Sequence, residues 1–372
     1  MNTALTNNTK SFPTLMETNP MFAPHRSSRK IRSGFTLIEL LIVITVIGIL
    51  VGLLFPAINV VRRSVYETTT AVDIAQLDAN VESFRREFGF FPSDFSEFVD
   101  VDGNPLEFFD PLPNVAPFNG QTVQNRLLQM LAKISPSHNE NAMDDPNQTS
   151  KTRLQIWWED VGMNLAVDST LVGTNKQNSL RGPQVALWFW LSQLFNDAQY
   201  PLTGPRDPAN YYLIAAGTEQ RMFHDFGSSK LEVIDEIAYP DSSAAAAGPN
   251  LYSIARPVQR DGDAPLLYFH HATYVDASSA TANTTTFIDF EQGNYDPGDP
   301  ANFGMACRVP GSSIMPTDPA EFLAAGEFQI LTAGYDEMFG NIEDGAVYEN
   351  GDNLCNFSEG RLDVFIDDFN SN

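Results

Sequence analysis

Gly34-Phe35-Thr36-Leu37-Ile38-Glu39 stands between a basic run (Arg26, Arg29, Lys30, Arg32) and an apolar run from Leu40 to Val61 that holds no charged residue. About 20 apolar residues, at about 1.5 Å each, carry a helix across a bilayer, so this run is long enough to span one. Glu39 is the exception at its edge. A carboxylate in a membrane segment costs on the order of 2.5 to 3.5 kcal/mol even on lenient insertion scales, and it calls for a partner. No basic residue lies nearby on the apolar side. A cut between Gly34 and Phe35 would create one, because the new α-amine of Phe35 is a cation one helical turn from Glu39, in the same subunit or a neighbour.

Ser33 to Val43, with its Gly-Phe junction and the glutamate fifth after it, resembles the cleavage and methylation signal of type IV prepilins and type II secretion pseudopilins. The resemblance implies that a prepilin peptidase cuts after Gly34 and that Phe35 becomes N-methylated. It implies too that Glu39 pairs with a neighbouring subunit's N-terminal amine as the filament assembles. Pro56 matches the family's helix-kinking proline. The implied fold is α+β and pilin-like: a long N-terminal helix, half membrane-spanning and half amphipathic, packed on an antiparallel sheet with large helix and loop insertions.

Charge gives the orientation. Residues 1–34 hold five Lys and Arg (Lys10, Arg26, Arg29, Lys30, Arg32) against Glu17, which leaves a formal charge of -29 on residues 35–372 out of -25 for the whole chain. Short cytoplasmic flanks carry the Lys/Arg excess, so the leader is expected inside and the acidic bulk outside; the resemblance implies that the membrane crossed, once, is the bacterial inner membrane. Arg62 and Arg63, just beyond the span, weaken the contrast. The head is expected in the periplasm and, after processing, in a periplasmic or surface filament. A second methionine, Met21, offers an alternative start with a shorter basic leader. With no basic stripe to neutralise phosphates, the acidic head is a poor candidate for nucleic acid and a fair one for divalent cations.

Beyond Arg63 the pattern turns amphipathic. Ile74, Leu77, Val81, Phe84 and Phe88 recur at alternating spacings of three and four, which predicts a buried stripe docked on the chain's own sheet. Gly89 and Pro92 end the helix. The chain thus divides into a leader (1–34), a membrane and assembly helix (35–62), an amphipathic continuation (63–89) and a head (90–372). Within the head, helices are expected over 123–134, 183–196 and 319–325, the last led by Asp318. Strands are expected over 211–216, 266–274, 286–290 and 327–332, and surface loops over 240–250 and 276–286. The strands at 266–271 and 328–334 are the best candidates for the sheet that covers the helix.

Hard oxygen donors crowd the stretch from Thr332 to Asn353, which follows a strand and is rich in glycine. Ca²⁺ takes six to eight such oxygens. The stretch partly resembles the C-terminal calcium loop of the major type II pseudopilin, and that likeness makes Asp336 the best-matched ligand, with Asp344 or Asp352 second. Glu337 stands where the family usually has glycine, and a solvated acidic turn without metal is the competing reading. Asp100, Asp102, Asn104 and Glu107 read as a turn, because Pro105 and Leu112 occupy the positions where an EF-hand needs Gly and Glu. Cys307 and Cys355 can pair in an oxidising compartment or stay two buried thiols.

His270 and His271, adjacent in a strand, are expected on opposite faces. Trp157, Trp158, Trp188 and Trp190 are expected in the core. Catalytic and phosphate-binding motifs do not occur, so the chain is read as a structural subunit rather than an enzyme. The alternative is a low-copy minor pilin whose large head binds a substrate, a surface or a partner subunit.

Overall fold

The computed structural model describes residues 35–100, 104–114, 117–143, 150–167, 181–207, 213–239, 251–260, 264–276, 281–282, 284–286, 303–307, 318–335, 339, 353–358 and 362. By contact density the chain separates into two compact units, Met1–Ile58 and Asn59–Asn372.

Helix α1 (Leu37–Phe88) contributes to both. Its end is set as the sequence predicts: Gly89 adopts φ 76° and its N–H reaches the Arg85 carbonyl at 2.7 Å, while Pro92 follows. The predicted stripe is buried, from Ile74 through Leu77, Val81 and Phe84 to Phe88. Its aromatic end meets a helix and a loop rather than a sheet. Phe84 lies edge-on to Trp190, with centroids 6.1 Å apart, and both Phe84 and Phe88 contact Phe223. On the sheet side, Asn356 donates to Asp78 at 2.8 Å.

Four further helices lie among the described residues of the head. Helix α2 (Val123–Ile134) falls where predicted, with Thr122 as its N-cap, and buries Val123, Leu127, Met130, Leu131 and Ile134. Helices α3 (Arg153–Trp157) and α4 (Met163–Ala166) are joined by a π-turn at Trp158–Gly162, and no expectation covered this stretch. Gly162 is required there, because a Cβ would sit 2.2 Å from the Trp158 ring. Helix α5 (Gly182–Ser192) is apolar on every side, and each of its residues is buried. That makes it the central rod of the head. It stops short of the predicted 196 because Leu194 and Phe195 leave it for a strand.

The strands are β1 (Leu194–Phe195), β2 (Gln220–Arg221), β3 (Leu231–Ala238), β4 (Leu251–Pro257), β5 (Leu267–His270), β6 (Val275–Asp276), β7 (Thr281–Ala282), β8 (Thr284–Thr286), β9 (Phe303–Met305), β10 (Phe328–Thr332) and β11 (Leu354–Cys355). The predicted partners do pair: β10 runs antiparallel to β5, Phe328 opposite His270 and Leu331 opposite Leu267, and β11 adds to its other edge. The other described strands form two-stranded antiparallel ladders, β1 with β2, β3 with β4, β6 with β7 and β8 with β9. The β3–β4 ladder, which packs on α5, was not foreseen; its register shifts between Val233 and Asp235, which breaks the alternation a sequence scan looks for. Part of the expected loop 276–286 lies in β6 to β8.

Several boundaries differ from expectation. The strand from 266 ends at His270, where a 3₁₀ turn (His271–Thr273) begins, and the expected helix after Asp318 is a single 3₁₀ turn, Pro319–Glu321, with Ala320 N–H donating to Asp318 Oδ1. In the expected strand 211–216, Ile214 makes only an isolated bridge with Arg206, and residues 211–212 lie outside the described residues, as do 240–250 and 287–290.

The β5–β10–β11 sheet is buried on both faces. Tyr268, Phe328, Ile330 and Leu354 join the large core formed with α1, α2 and α5. Leu267, Phe269, Leu331 and Cys355 turn to a second core with Tyr274, Phe322 and Phe339. Alternate residues point to opposite faces, so a strand apolar throughout requires a cover on each side.

Candidate functional site

The site begins at the first turn of α1. Glu39 Oε2 accepts from Thr36 N–H at 2.9 Å and from Thr36 Oγ1 at 2.7 Å, while Glu39 N–H donates to Thr36 Oγ1 at 3.3 Å. This is a reciprocal capping box, in which Thr and Glu three residues apart satisfy each other's terminal groups. The Thr-x-x-Glu spacing is visible in the sequence, but the lone charge at the edge of the apolar run hides the capping role of Thr36. Glu39 is exposed. Its Oε2 holds the cap and its Oε1 accepts no hydrogen bond, so one oxygen remains to meet a cation. Gly34, the other half of the expected junction, lies outside the described residues, and Phe35 is 77 % exposed.

Along the same segment Leu37, Leu53 and Val60 are each at least 70 % exposed, and no apolar side chain from Phe35 to Leu54 is buried. The helix is long and apolar enough to cross a membrane, with a mean hydropathy of 2.9 over its most apolar window. So large an uncovered apolar surface needs lipid or other helices around it. Pro56 sits within α1, where it removes one backbone donor.

The three aspartates expected to hold calcium, Asp336, Asp344 and Asp352, lie outside the described residues. Their described flanks are well anchored. Gly334, two residues past the end of β10, takes φ 74°, and the Tyr335 ring meets Tyr66 edge-on at 5.7 Å. Asn353, 4 % exposed, donates through Nδ2 to the Phe339 carbonyl at 3.0 Å, while its buried Oδ1 accepts no hydrogen bond. Among the described residues no three His, Cys, Asp or Glu side chains are grouped to hold a metal. Asp100 behaves as the turn residue predicted, accepting from Asn104 N–H at 2.7 Å.

No disulfide joins Cys307 and Cys355; both are buried thiols. The Gln329 side chain holds the Cys307 backbone from both sides, whereas Cys355 sits in β11 with its Sγ 3.1 Å from Ser358 Oγ. Burial pushes the Cys355 thiol up to about 11. His270 and His271 do not face apart. The strand ends between them, and their rings lie 4.3 Å apart at the centroids. The four tryptophans are core, as expected, and the indole N–H groups of Trp158 and Trp190 donate to the carbonyls of Leu106 and Ser93.

Two buried carboxylates carry no signal in the local sequence. Asp94, fully buried at the corner between α1 and the head, accepts from Ser96 N–H, His270 N–H and the Thr273 hydroxyl. Burial, aided by the charge of Glu97, pushes it up to about 7. Phe95, next in the chain, is held at φ 62°. Glu140 accepts from Leu202 N–H, Thr203 N–H and the Thr203 hydroxyl, and burial raises it too. Both are sealed from solvent, so each acts as an internal clasp between chain segments distant in sequence.

Residues 29–55 match the prokaryotic N-terminal methylation motif, the signature of type IV pilins and pseudopilins. Proteins with this signature are structural rather than catalytic, and the motif implies processing by a prepilin peptidase and assembly with other pilin subunits. No curated protein and no solved structure matches the chain.

Proposed function

We propose that this chain, a pilin-like or pseudopilin subunit by its methylation motif, is a structural subunit of a type II secretion or type IV pilus-like filament. It is cut after Gly34, N-methylated on Phe35, and assembled through α1. The observation that carries the reading is the capping box. Thr36 fixes the Glu39 carboxylate at the helix start and leaves Oε1 unspent, in the place where a neighbour's Phe35 amine would arrive. Pairing removes the cost of an isolated charge in lipid, and the exposed apolar surface of α1 is covered by adjacent helices as the subunit leaves the bilayer. The head then stands on the periplasmic or outer side.

The test separates cap from pair. Glu39→Gln keeps an oxygen for Thr36 but loses the charge. Membrane insertion should be unchanged, and filament yield should fall to near nothing, with mass spectrometry of the wild type showing N-methyl-Phe35. Filaments of Glu39→Gln at the wild-type level would sink the proposal.

A second reading concerns the acidic stretch. The buried, unbonded Oδ1 of Asn353 favours Ca²⁺ bound by Asp336 with Asp344 or Asp352, the asparagine oxygen completing the shell.

A further inference from the structure

A cavity of about 240 Å³ opens beside the part of α1 that is packed in the head. Its apolar lining is Leu77, Phe226, Val258 and Leu266, all buried. That volume is below the usual range of roughly 300 to 1,000 Å³ for drug-sized ligands, so it suits a single short side chain or a small molecule.

The charges of the lining do not cancel. Lys230 is paired with Asp73. His224 is bonded through Nδ1 to Asn80 Nδ2 at 2.8 Å, and burial holds its pKa below the ordinary value, so it is neutral at pH 7. Asp225, an exposed residue, therefore carries the lining's remaining charge. Its Oδ1 accepts from Gly227 N–H at 3.0 Å, and its second oxygen is uncommitted. Gln259 lines the same cavity; the residue is nine-tenths buried, and its amide, which still touches solvent, forms no hydrogen bond within the protein.

We propose that this cavity binds an aliphatic cation, an alkylguanidinium or alkylammonium group. The stem lies on Leu77, Phe226, Val258 and Leu266, and the head donates to Asp225 and to the Gln259 carbonyl. The group can come from a free amine or from an Arg or Lys side chain of a partner protein. Nothing in this depends on how the chain is processed or assembled.

Calorimetric titration of the detergent-solubilised full chain tests it, with n-butylguanidinium as the probe and n-pentanol as its neutral counterpart. The cation should bind saturably and at least roughly tenfold tighter than the alcohol, the scale of one charge-assisted hydrogen bond. Asp225→Asn and Gln259→Leu should each weaken it by roughly tenfold, with the circular dichroism spectrum unchanged. Acetyl-Ala-Arg-Ala-amide identifies the source: binding tighter than the free cation supports a partner's side chain, and weaker binding supports a free amine. Equal affinity for cation and alcohol, or no binding of either, overturns the proposal on the wild-type chain alone. Undiminished binding by Asp225→Asn would do so as well.

Discussion

Replacing Asp94 by Asn should remove a pH dependence that the fold writes into its own stability. Asp94 is fully buried and keeps its proton up to about pH 7, while in the unfolded chain it titrates near 3.8. Its neighbours accommodate the proton. Thr273 Oγ1 lies within hydrogen-bonding reach of both Asp94 and the His270 carbonyl, so a protonated Asp94 can donate to Thr273 while Thr273 donates onward to His270. Between the two pKa values the native state binds more protons than the unfolded one, so stability from this group falls as pH rises from about 4 to 7. About three units at about 1.4 kcal/mol each set a ceiling of about 4 kcal/mol.

His270 opposes this. Burial holds its pKa well below the ordinary value, so its share of stability grows as pH rises towards 6.5. The wild-type curve alone therefore mixes both signs, and the informative quantity is a difference. Urea unfolding of the full chain in detergent, followed by the fluorescence of the buried tryptophans, gives the stability of wild type and Asp94→Asn at each pH. Wild type minus variant should decline from pH 4 to pH 7, by at most about 1.4 kcal/mol per unit, and level off above. Any fixed cost of the Asn amide facing the Ser96 or His270 N–H shifts the whole curve without tilting it. A difference that is constant with pH, or that rises, refutes the reasoning.

Phe84→Ala should cost about 3 to 5 kcal/mol in the same urea assay, because the ring is wholly buried among Phe88, Phe90, Trp190 and Phe223 and its neighbours are too large to close the gap. Adding Ca²⁺ at about 100 times its dissociation constant should raise the unfolding free energy by about 2.7 kcal/mol, reversed by chelator and absent in Asp336→Asn. A stability unchanged by Ca²⁺ would dismiss the metal.

The legible part of this protein was legible for a local reason. A charge-free run able to span a bilayer, a basic flank and one carboxylate at a fixed distance from a Gly-Phe junction are properties of consecutive residues, and they hold whatever the rest of the chain does. The same is true of the 74–88 stripe, of the Gly89 stop and of α2, whose cap and apolar spacing lie within 13 residues. Even the β5–β10 pairing could be anticipated, since both strands are apolar runs bounded by turns.

What only the tertiary structure decided depends on residues far apart. Asp94 looks like an ordinary turn residue until His270 and Thr273, 176 and 179 positions later, close over it. Helix α5 is legible in the sequence as a helix with core tryptophans, and becomes the buried rod of the head only because β4, β5 and α1 pack against it. Cys307 and Cys355 share a core without bonding, and the charge of Asp225 is left over only once Lys230 has met Asp73 across 157 residues. The sequence by itself determined that one helix is long and apolar enough to cross a membrane, because that property is read from hydrophobicity one segment at a time. The burial and balance of charge in the head come from long-range contacts, which no local pattern contains.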